Sequence, residues 1–188
     1  LDGVASDSVE DPHVRGNRAA VSREAFVPPA AWAVPGDLAD GVGPRVLEAG
    51  CGEGYGAQVL LGTTDRQRVV AVDYDAAAIT HVGATYPGVA VLCGNLVALP
   101  FAGGAFDSVV SLQTIEHLWD QPGFVAECAR VCAEEGRLMV STPNRLTFSP
   151  GVGRGEKPLN PFHANELDAE ELVGLLDPWF AVEAVLGV

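Results

Sequence analysis

The stretch VLEAGCGEGYGA, residues 46–57, carries glycine at every second position from Gly50 to Gly56. An apolar run that ends at Glu48 leads into it. A strand that turns sharply into a helix, and lets a ligand touch its main chain, needs residues without Cβ. We therefore predict a strand, a glycine turn and a helix here, with the turn serving as a nucleotide site and not as an ordinary surface loop.

The composition limits the classes of protein that the chain can be. It has 188 residues, 48% of them hydrophobic, which fits one globular domain with a sizeable core. Eleven basic residues against 25 acidic ones give a net charge of -14, which would repel a nucleic-acid backbone. We therefore expect no nucleic-acid partner. We see neither a membrane-spanning stretch nor a secretory signal, so we expect no membrane span and a cytoplasmic location.

Short apolar or β-branched runs alternate with helical stretches after Gly43. The predicted strands are residues 45–48, 68–72, 89–93, 106–112, 137–141 and 180–185. Alternation of this kind predicts a parallel sheet with helices on both faces. The expected fold class is a doubly wound, mostly parallel α/β sheet in a single domain, residues 41–188.

Several helices between these strands have recognisable starts. Asp75 can cap a helix over 76–84, and Asp168 with Glu171 resembles a capping box. Apolar side chains recur at helical spacing over 124–132. The helices are thus marked by the sequence as clearly as the strands.

Two regions do not follow the alternation. Residues 1–40 mix charges and prolines with a candidate helix at 18–26, RAAVSREAF, and we expect an appendage near the sheet edge that is partly helical or mobile. Residues 143–161 contain four prolines among glycines and polar residues. Long loops of this kind in compact domains usually have a function, so we expect a lid.

An acidic residue follows the second predicted strand at Asp73, at the sheet end where parallel α/β proteins bind ligands. A carboxylate there can accept hydrogen bonds from ribose hydroxyls. Residues 52–57 also satisfy a GxGxxA dinucleotide fingerprint, so an NAD-dependent oxidoreductase stays open on these residues. Glu48 argues against it, because a carboxylate beside the turn repels a pyrophosphate and favours a cationic ligand.

Longer segments resemble the class I S-adenosylmethionine-dependent methyltransferases. EAGCGEG at 48–54 resembles the family's E/DxGxGxG motif. The segments VDYD (72–75), GNLVALPF (94–101), FDSVVSLQTIEHL (106–118) and GRLMVSTPN (136–144) resemble later parts of the family in the right order. The resemblance covers residues 44–188 and implies a Rossmann-like fold, S-adenosyl-L-methionine as the cofactor and S-adenosyl-L-homocysteine as the product.

The resemblance also assigns residues to the cofactor. They are Glu48, Gly50, Gly52, Asp73, Tyr74, Asn95, Leu96 and Gln113. The glycines would contact the methionine part, with the glutamate ordering the turn around it, and the aspartate would bind the ribose. The tyrosine, asparagine and leucine would flank the adenine, and the glutamine would lie beneath the sulfonium. Asn95 departs from the family, which commonly has aspartate at this position, but it keeps an acceptor oxygen.

Class I methyltransferases usually end in a seventh, antiparallel strand, which this sequence lacks after residues 180–185. An uncovered apolar edge invites pairing with another chain. We therefore expect either residues beyond Val188 or a partner, such as a second copy in a homo-oligomer, to cover this edge.

The acceptor of the methyl group is indicated less directly. The segment SLQT after the fourth strand lacks the Asn/Asp-Pro-Pro-aromatic tetrad of nucleobase N-methyltransferases. IEHLWDQ (115–121), STPNR (141–145) and NPFHANEL (160–167) resemble actinobacterial methyltransferases of polysaccharide synthesis. That resemblance implies O-methylation of a small molecule or glycan, with a sugar hydroxyl as the acceptor.

A sugar hydroxyl is a weak acid, so its methylation benefits from a general base or a metal. The candidates for the base are Glu116, His117 and His163. Ubiquinone-pathway O-methyltransferases carry ExxEH at this place, but here Gln113 replaces the first acid, and adjacent residues of a helix point in different directions. We therefore assign no metal ligand and keep a divalent metal as the less favoured alternative to a general base. A methyltransferase-like fold that binds cofactor without catalysis, as a partner subunit, stays a further alternative.

Overall fold

The computed structural model describes residues 18–23, 43–63 and 68–187, and within them seven strands form one sheet. The strands are β1 (Arg18–Arg23), β2 (Arg45–Ala49), β3 (Arg68–Asp73), β4 (Ala90–Cys93), β5 (Phe106–Leu112), β6 (Cys132–Ser141) and β7 (Ala181–Gly187). Their order is β4-β3-β2-β5-β6-β1-β7, and all of these neighbours pair in parallel. The six predicted strands are confirmed, although β6 begins earlier than predicted.

Five helices and one 3₁₀ turn connect the described strands. They are α1 (Tyr55–Thr63), α2 (Ala76–Thr85), the turn Ile115–His117, α3 (Gln121–Val131), α4 (Arg145–Phe148) and α5 (Ala169–Leu176). The predicted caps are confirmed: Asp75 accepts from the Ala77 amide at 2.8 Å, and Asp168 forms a full capping box with Glu171. None of these helices is long and apolar enough to span a membrane.

Two buried clusters cover the opposite faces of the sheet. Leu47 and Val109 point into one cluster together with Phe124 of α3. Their neighbours in sequence, Val46 and Val110, point into the other. Because successive side chains of a strand point to opposite faces, this division shows that the sheet is covered on both sides, as a doubly wound fold requires.

The candidate helix at 18–26 was wrong for the residues that the structure describes. Residues 18–23 form β1, which lies inside the sheet between β6 and β7 instead of in an appendage. Ala19 pairs with Leu138 on one side and Val182 on the other. Hydrogen bonds to two neighbouring strands outweigh the weak helical propensity of so short a run. Residues 24–26 and the rest of 1–40 lie outside the described residues.

β1 changes the strand order at the end of the sheet where the sequence predicts an uncovered edge. β1 occupies the position next to β6, and β7 is the last strand of the order with β1 as its described neighbour. Val185 and Leu186 of β7 remain about two-fifths exposed. Whether a partner chain or further residues cover β7 stays a prediction.

The proline-rich segment 143–161 is attached to the domain at its start. It opens with α4, and the buried Arg145 donates to Asp168 at 2.6 Å and to Glu171 at 2.9 Å. A second guanidinium nitrogen of Arg145 donates to the Val152 carbonyl at 2.9 Å. The segment is thus held against the first turn of α5, and a lid role for it stays a prediction.

Candidate active site

The glycine turn begins with Gly50, whose φ is +83°. The amides of Gly50 and Cys51 both donate to the Val72 carbonyl, at 2.8 and 3.1 Å, so the turn is fixed to the end of β3. A Cβ added at Gly50 would clash with the Thr114 side chain. The dihedral angle and the lack of space each require glycine at this position.

Asp73 at the end of β3 holds the other side of the turn. Its carboxylate is nearly buried and accepts from the Gly52 amide at 2.9 Å and from the Asp75 amide at 3.0 Å. Each carboxylate oxygen has a second lone pair, so the group can still accept from a ligand. The sequence predicted this residue as a ligand contact, and the structure adds that it also fixes the backbone around it.

A pocket of about 560 Å³ opens beyond the carboxyl ends of β2, β3 and β5. It is lined by Gly50, Gly52, Asp73, Tyr74, Leu96, Gln113, Thr114, His117, Leu118 and Phe162. A smaller pocket of about 440 Å³ shares Gly52, Asp73 and Tyr74 with it and extends to His81 on α2. The two spaces together accommodate an elongated ligand with the Asp73 carboxylate near its middle.

Two residues predicted to contact the cofactor do not line this pocket. Glu48 is buried behind the turn, where one carboxylate oxygen has no hydrogen-bond partner. Burial raises the pKa of Glu48 to about 8. Asn95 is exposed, and its side-chain oxygen accepts from the Val97 amide at 3.0 Å, which forms a turn. The other predicted cofactor residues are all in the wall of the pocket.

Gln113 follows β5 in the centre of the wall. Apart from glycines, it is the one residue with positive φ in the part of the chain that the structure describes, at 51°. Its side-chain amide donates to the Ser141 hydroxyl at 3.1 Å, and its backbone amide donates to the Ser141 carbonyl at 3.0 Å. Strained backbone of this kind often occurs at functional sites, and here it directs the chain into the pocket.

His117 is the candidate base that lines the pocket. Its Nδ1 lies 3.0 Å from the Phe162 carbonyl oxygen. A carbonyl can only accept, so Nδ1 carries the proton and, in the neutral ring, Nε2 has the free lone pair. The neutral ring therefore has an unprotonated nitrogen that can accept a proton, in a residue that lines the pocket.

The other two candidates lie behind His117. His163 is buried, and its Nδ1 and Nε2 are hydrogen-bonded to Glu166 at 2.6 Å and to Asn160 at 2.9 Å. Its ring contacts the His117 ring edge-on, with the centroids 4.9 Å apart. Glu116 is buried and accepts from the Thr142 hydroxyl at 3.1 Å, and burial raises its pKa to about 7. Neither residue lines the pocket.

Glu116, His117 and His163 are also the described residues that come closest to a metal site. One ligand atom from each lies within 4.8 Å of the others. The available atoms do not suit an ion, however, because both ring nitrogens of His163 already form hydrogen bonds within the protein. A metal would have to displace Asn160 or Glu166. His163 is better described as part of a hydrogen-bonded series with Glu166 and Asn160.

Sequence reasoning missed three residues of the wall, namely Thr114, Leu118 and Phe162. Thr114 lies within QTIEH (113–117) and Leu118 follows it, so both could have been found from the position of that segment. Phe162 comes from a segment some 45 residues later in the chain, and no local pattern placed it beside His117. Its side chain is 81% exposed although it borders a pocket.

A larger pocket of about 700 Å³ lies elsewhere and shares no residue with the first. It is lined by α3, α5 and the segments before them, including Trp119 and Arg154. The polar side chains Gln121 and Asn165 bond to each other there at 2.9 Å. Because it contains neither the glycine turn nor a candidate base, we do not place the chemistry in it.

The sheet, the glycine turn and the acidic end of β3 together define a class I methyltransferase domain. A model of the family described as Methyltransferase domain matches residues 47–140, and the chain belongs to this family. That finding favours a methyltransferase over the NAD-dependent alternative.

Individual relatives are consistent with the family. A protein of Mycobacterium tuberculosis named a probable S-adenosylmethionine-dependent methyltransferase is 56% identical over 144 residues, or 76% of this chain and 51% of the relative. One from Mycolicibacterium smegmatis with the same description is 53% identical over 147 residues, or 78% of this chain and 55% of the relative. The chain thus spans about half the length of these relatives.

The solved structure of the cyclase SpnF has the same fold as this chain. The two superpose with a TM-score of 0.61 at 20% identity, over 75% of this chain and 53% of SpnF. A likeness at this identity shows the fold alone.

Proposed function

We propose that the chain belongs to an S-adenosylmethionine-dependent O-methyltransferase, in which it binds the cofactor and carries the general base. The observation that carries this proposal is His117, which borders the pocket beside Gln113 with its Nδ1 proton directed to the Phe162 carbonyl. A neutral imidazole with a free Nε2 lone pair can take the proton of a hydroxyl.

The residues around the pocket fit S-adenosylmethionine. Asp73 has acceptor capacity left for ribose hydroxyls, Tyr74 is exposed beside it for an adenine ring, and Gly50 and Gly52 allow close approach of the backbone. When bound, this cofactor supplies an electrophilic methyl group on a sulfonium. Glu48 is buried behind the glycine turn and, with its pKa raised to about 8 by burial, is mostly protonated at neutral pH, so it supports the turn without adding a full charge beside the ligand.

The step at the acceptor follows from the position of His117. Nε2 accepts the hydroxyl proton as the acceptor oxygen forms a bond to the methyl carbon. With S-adenosylmethionine bound, the methyl group would pass from sulfur to that oxygen, the electron pair of the carbon–sulfur bond would stay on sulfur, and S-adenosylhomocysteine would be the product. Leu118 and Phe162 in the pocket wall hold the acceptor in line with the methyl group and exclude water. This positioning contributes to the rate of transfer.

We propose a sugar hydroxyl of a small molecule or glycan as the acceptor. Support comes from the resemblance of residues 115–121, 141–145 and 160–167 to methyltransferases of polysaccharide synthesis. Among the described residues, the wall of the pocket contains no arginine or lysine, so it offers no cationic side chain to an acceptor phosphate. An exposed aromatic ring at Phe162 suits the apolar face of a neutral sugar ring.

Two experiments test the proposal. Calorimetry with S-adenosylmethionine and with NAD should show binding of the first alone. Methyl transfer from isotope-labelled cofactor should then be measured with neutral sugars, sugar phosphates and glycan oligomers, with and without a chelator. We expect transfer to neutral sugars or glycans that the chelator leaves unchanged. Transfer to non-sugar acceptors alone would contradict the sugar assignment, and cofactor binding without any transfer would favour the non-catalytic alternative.

A further inference from the structure

A continuous series of hydrogen bonds leads from a buried carboxylate to the candidate base. Glu166 is almost fully buried and bonds to Nδ1 of His163 at 2.6 Å. Nε2 of His163 bonds to the Asn160 side chain at 2.9 Å. The other end of that amide accepts from the Phe162 backbone N–H at 3.0 Å, and the Phe162 carbonyl bonds to His117.

The direction of each bond in this series is fixed by chemistry. A backbone N–H can only donate, so the Asn160 atom that it contacts is the oxygen, and the amide nitrogen faces His163. An amide nitrogen can only donate, so Nε2 of His163 must be unprotonated. The neutral ring then carries its proton on Nδ1 and donates it to Glu166.

The same turn fixes the second histidine. The Asn160 contact with the Phe162 amide, together with a 3.2 Å bond from the His163 amide to the Asn160 carbonyl, shapes the backbone over 160–163. The Ala164 amide donates to the Glu116 carbonyl at 2.7 Å, which attaches this turn to the residue before His117. The Phe162 carbonyl is thereby held at His117 Nδ1, so the tautomer of one ring is linked to that of the other.

We propose that Glu166 is a positioning residue that sets the tautomer of His117 through His163, Asn160 and Phe162. Glu166 keeps the proton of His163 on Nδ1, which makes Nε2 the acceptor that orients the Asn160 amide. The oriented amide presents the Phe162 carbonyl, which keeps the proton of His117 on Nδ1 and leaves Nε2 unprotonated. The claim about the His117 tautomer does not depend on the proposed function. Its effect on turnover rests on the function proposed above.

The test is a measurement of the imidazole nitrogens by long-range ¹H–¹⁵N correlation on the full chain. In the wild type we expect Nδ1 protonated and Nε2 unprotonated in both His117 and His163. Glu166→Leu removes the acceptor and should give His117 a mixture of both tautomers. Glu166→Gln can still accept through its carbonyl and should keep the wild-type pattern. Glu170→Gln, an exposed carboxylate of α5, is the matched control and should change nothing.

A second variant protects the test against misfolding. Asn160→Leu breaks the same series from the solvent side and should also release the tautomer of His117, while His163 keeps its proton on Nδ1 for Glu166. A fixed His117 tautomer in both Glu166→Leu and Asn160→Leu overturns the proposal. So does an Nε2-protonated His163 in the wild type.

Kinetics separate this proposal from the function it rests on. With any acceptor that the wild type methylates, Glu166→Leu should lower kcat in proportion to the fraction of His117 that loses the Nδ1-protonated tautomer, about twofold for an equal mixture. The acceptor KM and the cofactor Kd should stay unchanged, and Glu166→Gln should restore kcat. If Glu166→Leu gives both tautomers of His117 without a change in kcat, this result contradicts the role of His117 as base. The positioning role of Glu166 would stand.

Discussion

The two sides of the pocket are built in different ways. The cofactor side is made by backbone within a short stretch, where Gly50 has positive φ and the amides of Gly50 and Gly52 bond to the end of β3. The acceptor side is made by side chains from distant segments, where the loop 160–166 approaches the turn that contains His117. The glycine side depends on residues that lack Cβ. The side at His117 depends on which side-chain and backbone atoms donate and accept hydrogen bonds.

This difference predicts that changes on the two sides will have separable effects. Substitutions on the acceptor side should lower turnover while the cofactor still binds. Substitutions on the cofactor side should weaken cofactor binding or the fold, because the turn is part of the sheet's core. Each of the following variants tests one side of this division.

The largest effect is expected at His117. His117→Ala should lower turnover by about 10²–10⁴-fold if the ring is the general base, with cofactor affinity little changed. His117→Asn is a sharper variant, because its amide can still donate to the Phe162 carbonyl but cannot take a proton. Steady-state rates and calorimetry with S-adenosylmethionine check both. Near-normal turnover in the Asn variant would mean that positioning alone carries the chemistry.

Gly50→Ala should have the next largest effect, on the fold. The positive φ costs a residue with Cβ about 1–2 kcal/mol, and the contact with Thr114 adds about 1–3 kcal/mol of overpacking. Chemical denaturation should therefore show a loss of about 2–5 kcal/mol. Gly62→Ala in α1 is the control, because nothing lies within 4 Å of the position that its Cβ would take. That variant should be neutral or gain up to about 1 kcal/mol.

Asp73→Ala should weaken cofactor binding by about 2–4 kcal/mol, since hydrogen bonds to a charged acceptor contribute roughly 1.5–3 kcal/mol each and do not add fully. Part of the loss comes from the Gly52 and Asp75 amides, which would lose their acceptor. Asp73→Asn keeps one acceptor oxygen and should bind with intermediate affinity. Calorimetry measures both variants, and an unchanged affinity in the Ala variant would remove the ribose assignment.

The sequence predicted the glycine turn and the acidic end of β3 well because both are local, although Glu48 and Asn95 do not line the pocket. Gly50, Gly52 and Asp73 lie at strand ends whose position follows from hydrophobic patterning, and the structure places all three in the pocket wall. The acceptor side could be predicted only as a set of candidates. The contact between His117 and Phe162 depends on how a loop 45 positions away packs, and β1 depends on pairing with distant strands, so neither has a local signal.

A pH-dependent effect is expected at Glu48. Burial raises the pKa of Glu48 from its ordinary value of 4.5 to about 8, so the folded chain keeps a proton that the unfolded chain releases. Stability from this group is fully present below pH 4.5 and is lost as pH rises through 8, by roughly 1.4 kcal/mol per pH unit in between. Glu48→Gln cannot ionise, so its advantage over the wild type should grow from pH 5 to pH 8.

Urea denaturation of both proteins at several pH values measures this difference. A stability difference that is constant across this range would show that Glu48 ionises at its ordinary pKa in the folded chain.

The position of β1 has a consequence for the order in which the molecule forms during synthesis. Ala19 pairs with Leu138 and Val182. β1 is therefore synthesised well before β6 and β7, the two strands with which it pairs. At a synthesis rate of about 5–20 residues per second, residues 18–23 emerge on the order of ten seconds before β7 exists to pair with them. The strands next to β2 can pair in the meantime. β1 and β7 can complete the other end of the sheet only after residue 187 has been synthesised.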